Sequence, residues 1–342
     1  MVAAMTAALT TIIGAGVAGL CVASALTRRG VPVRIIDRHG APAGHSCSWW
    51  AGGMLAPFCE GETAEEPVVR LGQRAADWWE RHDVPVVRHG SSVLTLGRDT
   101  AELDRFARRT TAHEWVDGEA IAALEPALVG RARRGLFFPT EAHLAPRGAL
   151  AGLVAGLAAR GVTIETEAAV MPDGAAEPYA ATGTTIDCRG LSAADALTDL
   201  RGVKGEMLML RSTEVDLSRP VRLLHPRIPI YLVPRGDGVF MLGATQIEAG
   251  SRHRATVRSV LELLSAAYAL HPAFGEAEIL EIGVDARPAF PDNLPRVRRR
   301  GQRIYVNGLF RHGFLLAPVL AEMVADFVIE GVVPEVMDEN NG

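Results

Sequence analysis

Three glycines spaced Gly14-x-Gly16-x-x-Gly19 follow the apolar run Leu9 to Ile13 and precede a stretch of helical character. Each missing Cβ has its own geometric use: the first glycine permits a tight turn, the second admits a pyrophosphate, and the third lets helix and strand pack. Helix-terminal N–H groups then face the phosphate charge. Asp37 ends the next apolar run, Val31 to Ile36, where its carboxylate can accept hydrogen bonds from ribose hydroxyls. A lone glycine triad also arises from packing alone. Here Ala23, Leu26, Gly30 and Val33 continue the pattern, small or apolar wherever helix meets sheet, and the reading is a dinucleotide site. Arg38, beside Asp37, and Gly190, after the run Thr184 to Cys188, are further candidate cofactor contacts.

The triad does not separate NAD from FAD, since both bring a pyrophosphate and a ribose to that turn. The remainder of the chain separates them. More than a hundred residues intervene before strand character returns near Val162, which suits a flavoprotein with an inserted domain better than a compact NAD domain. Near the end, Gly313 opens an apolar helix reaching Ile329, and its positive end can be aimed at a flavin pyrimidine to stabilise reduced, anionic flavin. Phe314, Leu315, Leu316 and Val319 also suit plain core packing for that helix.

These residues must be positioned by a strand at Leu9 to Ile13, a helix near Ala18 to Arg29 and a strand at Val31 to Ile36, a βαβ signature. Gly40 to Gly61 is rich in Gly and Pro and is expected to lie over a ligand. Beyond it, Glu66 to Arg81 reads as one helix, with extended runs at Val84 to Arg88 and Val93 to Gly97. Helices follow at Thr100 to Thr111 and Asp117 to Leu124, then a strand at Gly135 to Phe138. Arg147 to Arg160 is a helix, followed by strands at Val162 to Glu165 and Thr184 to Cys188. Glu206 to Ala244 alternates apolar runs with turns, as an antiparallel sheet does; Thr256 to Leu270 is a helix, and Glu278 to Val284 and Ile304 to Asn307 are strands. The expected fold is α/β: a Rossmann-like FAD-binding domain (1–82, 142–204 and 285–342) interleaved with an α+β substrate domain on an antiparallel sheet (83–141 and 205–284).

With 342 residues, 48% of them apolar, the chain can fill two connected lobes. A net charge of −5 with Arg and Glu scattered throughout leaves no basic surface for nucleic acid, so small molecules are the expected partners. Cys21, Cys47, Cys59 and Cys188 have neither C-x-x-C spacing nor disulfide-scaffold density; a reducing compartment, the cytoplasm, is expected, and no metal. The uncharged stretch Met1 to Thr27 lacks a basic n-region and contains three glycines, so it reads as a nucleotide-fold opening rather than a membrane anchor. A homo-oligomer is compatible with all of this.

Four further patches carry a resemblance: Ser48-Trp49-Trp50-Ala51-Gly52-Gly53-Met54-Leu55-Ala56-Pro57, Gly243-Ala244-Thr245, Arg287-Pro288-x-x-x-Asp292-x-x-Pro295, and Gly308-x-x-Arg311-x-Gly313-x-Leu315-Leu316-Ala317-Pro318. Through most of its length the chain resembles the D-amino-acid-oxidase superfamily, particularly the glycine oxidases of thiamin biosynthesis. The resemblance implies that Ser48 and Ala51 to Met54 line the flavin and that Gly313, Phe314 and Leu315 contact its polar edge. It implies that Arg287 holds a substrate carboxylate through two parallel charge-assisted hydrogen bonds, that Tyr231 adds a hydroxyl, and that Arg311 is a third pocket candidate. It also implies noncovalent FAD, although His45 and Cys47 precede the flavin-lining patch. The sequence departs from its relatives at Trp49 and Trp50, where smaller residues are common, at Leu309 and His312, which replace the usual His and Asn, and at Gln246.

The implied chemistry is oxidation of a small amino acid or amine. Hydride leaves Cα for flavin N5, and water hydrolyses the imine; glycine with molecular oxygen as acceptor yields glyoxylate, ammonia and hydrogen peroxide. Each residue also has a structural reading: Arg287 as an interlobe salt bridge, Tyr231 as a strand aromatic, Arg311 as a ligand of backbone carbonyls. A sarcosine-type or D-amino-acid oxidase, a dehydrogenase, and a silent flavin-binding module remain open on sequence.

Overall fold

The computed structural model describes residues 9–97, 100–166, 183–225 and 227–342, so the first eight residues of the uncharged opening stretch lie outside the described residues. The glycine pattern is housed by β1 (Thr10–Ile13), α1 (Val17–Arg28) and β2 (Val33–Asp37), with β1 and β2 parallel and Ile12 opposite Ile35. The loop-rich segment contains a single 3-10 turn (Cys47–Trp50), then β3 (Met54–Leu55) and α2 (Pro57–Glu60). Glu66 to Arg81, expected as one helix, is two: α3 (Glu66–Gly72) and α4 (Ala75–Arg81). The break is a tightened turn: Gln73 and Arg74 keep right-handed helical angles while the Arg74 N–H bonds the Leu71 carbonyl. At Gly72 a Cβ would lie 2.8 Å from Leu315 Cγ, so close packing on the C-terminal helix calls for glycine there.

The chain continues through β4 (Ser91–Leu94), α5 (Thr100–Arg109), β5 (Glu114–Asp117), α6 (Gly118–Leu124), β6 (Arg134–Phe138), β7 (Ala142–His143), α7 (Pro146–Ala158), β8 (Ile164–Thr166) and β9 (Thr185–Asp187). After these come β10 (Arg201–Arg211), β11 (Val221–Leu223), β12 (Ile230–Pro234), β13 (Val239–Gly243), α8 (Val257–Leu270), β14 (Glu278–Ala289), β15 (Arg296–Arg300), β16 (Arg303–Asn307), α9 (Gly313–Glu330) and β17 (Met337–Asn341). Side-chain caps start two helices where the pattern predicts: Asp117 accepts from the N–H groups of Glu119 and Ala120, and Thr256 from that of Ser259. Val84 to Arg88 forms no strand of its own; Val87 bridges His143.

One sheet has the order β17-β15-β16-β9-β1-β2-β8, and the run from β16 to β8 is parallel. Leu20, Leu26, Leu153, Leu316 and Leu320 from α1, α7 and α9 pack with Ile12 and Ile35 in its core. The second sheet, β14-β10-β13-β12-β11-β4-β6-β5, is antiparallel apart from the β11–β4 pair. Leu263 and Leu270 of α8 close its other core against Leu208, Leu232 and Leu242. The fold is α/β, a Rossmann-like domain interleaved with a domain on an antiparallel sheet. Strands β10 and β14 run through the expected boundaries at 204/205 and 284/285 and physically join the two lobes. Because β14 continues past Val284 to Ala289, Arg287 sits within sheet hydrogen bonding, opposite Val203.

Candidate active site

A cavity of 1360 Å³ runs between the two sheets. Ligand pockets usually occupy about 300–1000 Å³, so this one has room for a large cofactor and a small substrate together. At one end are Gly14, Gly16, Asp37 and Arg38; Gly190 lines the same space. Gly14 has φ +101°, a left-handed conformation, and a Cβ there would lie 2.6 Å from the Cys188 carbonyl oxygen. Gly19 does not reach the cavity: its missing Cβ would meet the Gly14 carbonyl oxygen at 1.9 Å, so it serves the packing of α1 on the turn. Asp37 accepts from the Ala15 N–H and the His39 N–H, both at 2.8 Å, and so braces the glycine turn while keeping lone pairs for a ribose. Ser48 Oγ accepts from Val17 N–H at 3.0 Å, bringing the loop over the start of α1.

The N-termini of α1 and α9 converge, since a Cβ on Gly313 would lie 3.3 Å from Val17 Cγ1. First-turn N–H groups have no intrahelical acceptor and carry the positive end of the helix dipole. Gly313, Phe314 and Leu315 line the cavity, and Trp79 fixes them by donating from Nε1 to the Phe314 carbonyl at 2.9 Å while stacking on its ring. Ala51, Gly52, Gly53 and Met54 form the adjacent wall. Gly53 has φ +72°, and a Cβ would collide with the Leu144 carbonyl oxygen at 2.3 Å. This set of close-approach glycines, a ribose-competent carboxylate and two converging helix starts fits FAD, and these residues would hold its phosphates and rings.

Toward the second sheet, three strand glycines form a floor on which larger side chains lie. A Cβ on Gly205 would fall 2.2 Å from Arg287 Nη2, one on Gly243 2.7 Å from the Tyr231 ring, and one on Gly283 2.2 Å from Trp50 Cε3. The Tyr231 ring also abuts Gly52, whose Cβ would lie 3.0 Å from Tyr231 Cε2. Arg287 donates from Nη1 to the Thr245 carbonyl at 3.2 Å, and among the described residues no carboxylate pairs with it. Arg147 and Glu281, paired at 2.7 Å and 3.0 Å, make one of the ion pairs that join the lobes in its place. Trp50 lines the cavity, whereas Trp49 packs on the core behind it, and the Arg147 guanidinium lies over both rings.

Arg311 also lines the cavity, but its guanidinium is committed. Nη2 pairs with Glu60 Oε2 at 2.8 Å and donates to Thr63 Oγ1, where backbone carbonyls were the structural alternative. Arg222 takes the other oxygen of Glu60 at 2.7 Å, and His312 Nε2 lies 3.0 Å from Oε2. Burial opposes ionisation of Glu60, but the Arg311 and Arg222 charges outweigh it and hold the carboxyl well below its usual range. Burial pushes the nearby Glu141 carboxyl up to about 7; it accepts from Cys59 N–H at 2.7 Å and from the Ser91 hydroxyl.

Glu60 and Arg222 escaped the sequence reading, as did the glycine floor. Gly205 and Gly243 carry a legible signal, a glycine inside a strand pattern, which marks close approach by another group. Arg222 is the cross-strand partner of Tyr231. Only sheet register reveals that pairing.

Comparison with known proteins agrees with this geometry. A family model described as DAO, FAD dependent oxidoreductase, matches residues 10–327. The candidate thiamine biosynthesis oxidoreductase ThiO of Rhizobium etli is 55% identical over 314 residues, covering 91% of this chain and 94% of that protein. The glycine oxidase of Bacillus licheniformis is 23% identical over 354 residues, covering 94% and 92%. In fold, the crystal structure of glycine oxidase from Geobacillus kaustophilus matches with a TM-score of 0.78 at 22% identity, covering 93% of this chain and 94% of that one. The chain belongs to the DAO family of FAD-dependent oxidoreductases.

Proposed function

We propose that this protein oxidatively deaminates a small amino acid, glycine foremost, to glyoxylate, ammonia and hydrogen peroxide, in the service of thiamin biosynthesis. The observation that carries the reading is Arg287 lying on Gly205 inside the flavin cavity, with no carboxylate paired to it among the described residues. A guanidinium in the cavity with no carboxylate at salt-bridge distance, Asp285 acting on it only from farther off, is a ready fork for a carboxylate. Arg222 and Arg311, tied to Glu60, are less available for that task. Tyr231, braced between Gly52 and Gly243, adds a hydroxyl close to the flavin-lining segment.

Bound FAD supplies the electron acceptor for Cα oxidation. The chain's part is orientation by Arg287 and Tyr231 and electrostatic stabilisation from the start of α9. Noncovalent attachment is supported at Cys47, where burial, with Asp285 adding to it, pushes the thiol up to about 11 and leaves little thiolate. Free thiols at all four cysteines suit the cytoplasm as the setting. Among the described residues no helix is long and apolar enough to cross a membrane.

The test is anaerobic mixing of the purified protein with glycine, sarcosine, proline and small D-amino acids while flavin absorbance is followed. Glycine is expected to bleach the flavin, and oxygen to restore it with hydrogen peroxide released. Bleaching by none of these compounds refutes the reading. Reoxidation only by an artificial acceptor makes the protein a dehydrogenase.

A further inference from the structure

Arg235 follows Pro234 at the end of β12, and its side chain returns under the flavin-lining segment. Nη2 donates to the Gly52 carbonyl at 2.6 Å and the Ala51 carbonyl at 3.4 Å, and Nη1 to the Leu144 carbonyl at 3.3 Å. Gly52 lines the cavity and Arg235 does not, so the guanidinium meets the segment from outside the cavity. Gly53 is pinned against the same Leu144 carbonyl, and Tyr231 of β12 rests on Gly52. One guanidinium thus ties together the flavin-lining segment, the chain at Leu144 and the strand that carries Tyr231.

The choice of a cation there is unexplained by clamping alone. Among the described residues no carboxylate pairs with Arg235, and removal from water, opposed by Tyr231 and aided by Arg147, pushes its guanidinium down to about 10. A half-buried charge without a counterion is still costly, and carbonyls can be held by neutral amides. Charge on the donor also draws electron density from the Gly52 carbonyl and strengthens the N–H of the peptide it shares with Gly53.

We propose that Arg235 is a positioning residue of the flavin site, fixing the Ala51 to Gly53 segment to β12 and keeping an un-neutralised positive charge beside it that favours the anionic, reduced flavin. This rests on the proposed role of Ala51 to Met54 in lining the flavin.

The experiment compares Arg235→Gln and Arg235→Lys with wild type, each loaded with FAD. Three quantities are read: FAD affinity by fluorescence, the two-electron potential by dye equilibration, and affinity for sulfite. The sulfur lone pair of sulfite bonds to flavin N5 and leaves the ring negatively charged, so sulfite reports stabilisation of that charge without any amino acid. Arg235→Gln is expected to weaken sulfite binding by about tenfold or more and to make the potential more negative. Arg235→Lys keeps the charge but loses the fork, so it should weaken FAD binding while holding sulfite affinity within about threefold of wild type. Wild-type sulfite affinity and potential in Arg235→Gln overturn the electrostatic role. If Arg235→Gln does not fold, Arg235→Lys decides: unchanged FAD affinity contradicts the clamp, and a tenfold loss of sulfite affinity despite the retained charge contradicts the electrostatic role. Wild-type protein that binds no flavin refutes the site reading itself, whereas flavin-loaded variants identical to wild type refute only the role of Arg235.

Discussion

Arg287 lies across Gly205, two strand positions from its own cross-strand partner Val203, with Nη2 2.2 Å from where a Cβ would stand. The glycine therefore determines where the guanidinium points. Arg287→Met should leave FAD bound and lower kcat/KM for glycine by roughly thirty-fold to several thousand-fold, the loss expected for a buried charge-assisted pair of about 2–5 kcal/mol. Gly205→Ala should reproduce the pattern more weakly by displacing the guanidinium. Flavin-reduction kinetics with matched carboxylated and decarboxylated amines is the check. An equal loss on both would assign Arg287 to structure.

Gly16→Val should abolish FAD binding with the fold retained. A Cβ at Gly16 comes no closer than 3.3 Å to any neighbour, the Ser48 hydroxyl, yet branched atoms beyond it fill the space where pyrophosphate approaches the backbone. Gly19→Val should instead unfold the protein, because its Cβ collides with the Gly14 carbonyl. Asp37→Ala should weaken FAD binding less, by about the 1.5–3 kcal/mol of a charged hydrogen bond. FAD titration and thermal melts separate these outcomes, and normal FAD affinity in Gly16→Val would sink the site.

Trp50 lies in the cavity over Gly283, and Trp49 is packed half-buried on the core, so their truncations should differ. Trp50→Ala should speed flavin reduction by larger D-amino acids relative to glycine. Trp49→Ala should chiefly lower stability, by about 3–5 kcal/mol at most. Wild-type protein reduced faster by a D-aromatic amino acid than by glycine would overturn the preference for a small substrate.

Glu141 gives the stability a pH dependence of predictable sign. Its folded pKa is raised to about 7, so between the ordinary Glu range and pH 7 the folded state holds a proton that the unfolded state has lost. Stability therefore falls as pH rises through that window, by on the order of 3 kcal/mol, and levels off above it. Glu141→Gln keeps an acceptor for Cys59 N–H and removes the titration. Melting temperatures from pH 5 to 8 should decline for wild type relative to this variant; parallel curves would assign the decline to other groups.

Local backbone demands made much of the cofactor end readable. Gly14, Gly16 and Gly19 each sit where a Cβ has no room or blocks a ligand, Asp37 ends the strand that delivers it, and Gly313 starts a helix whose periodicity is unmistakable. Such constraints act within a few residues of chain, so residue type and spacing record them. What tertiary structure decided is which of three cavity arginines is left, among the described residues, without a carboxylate at salt-bridge distance. Arg222, Arg287 and Arg311 are alike in sequence, and they differ because Glu60, from a four-residue helix, reaches two of them while the β10–β14 register lays the third over Gly205. Arg235, 183 residues beyond the carbonyl of Gly52 that it holds, belongs to the same class. Pairings set by sheet register and by contacts between distant segments leave no local periodicity, and the long-range fold alone brings those charges together.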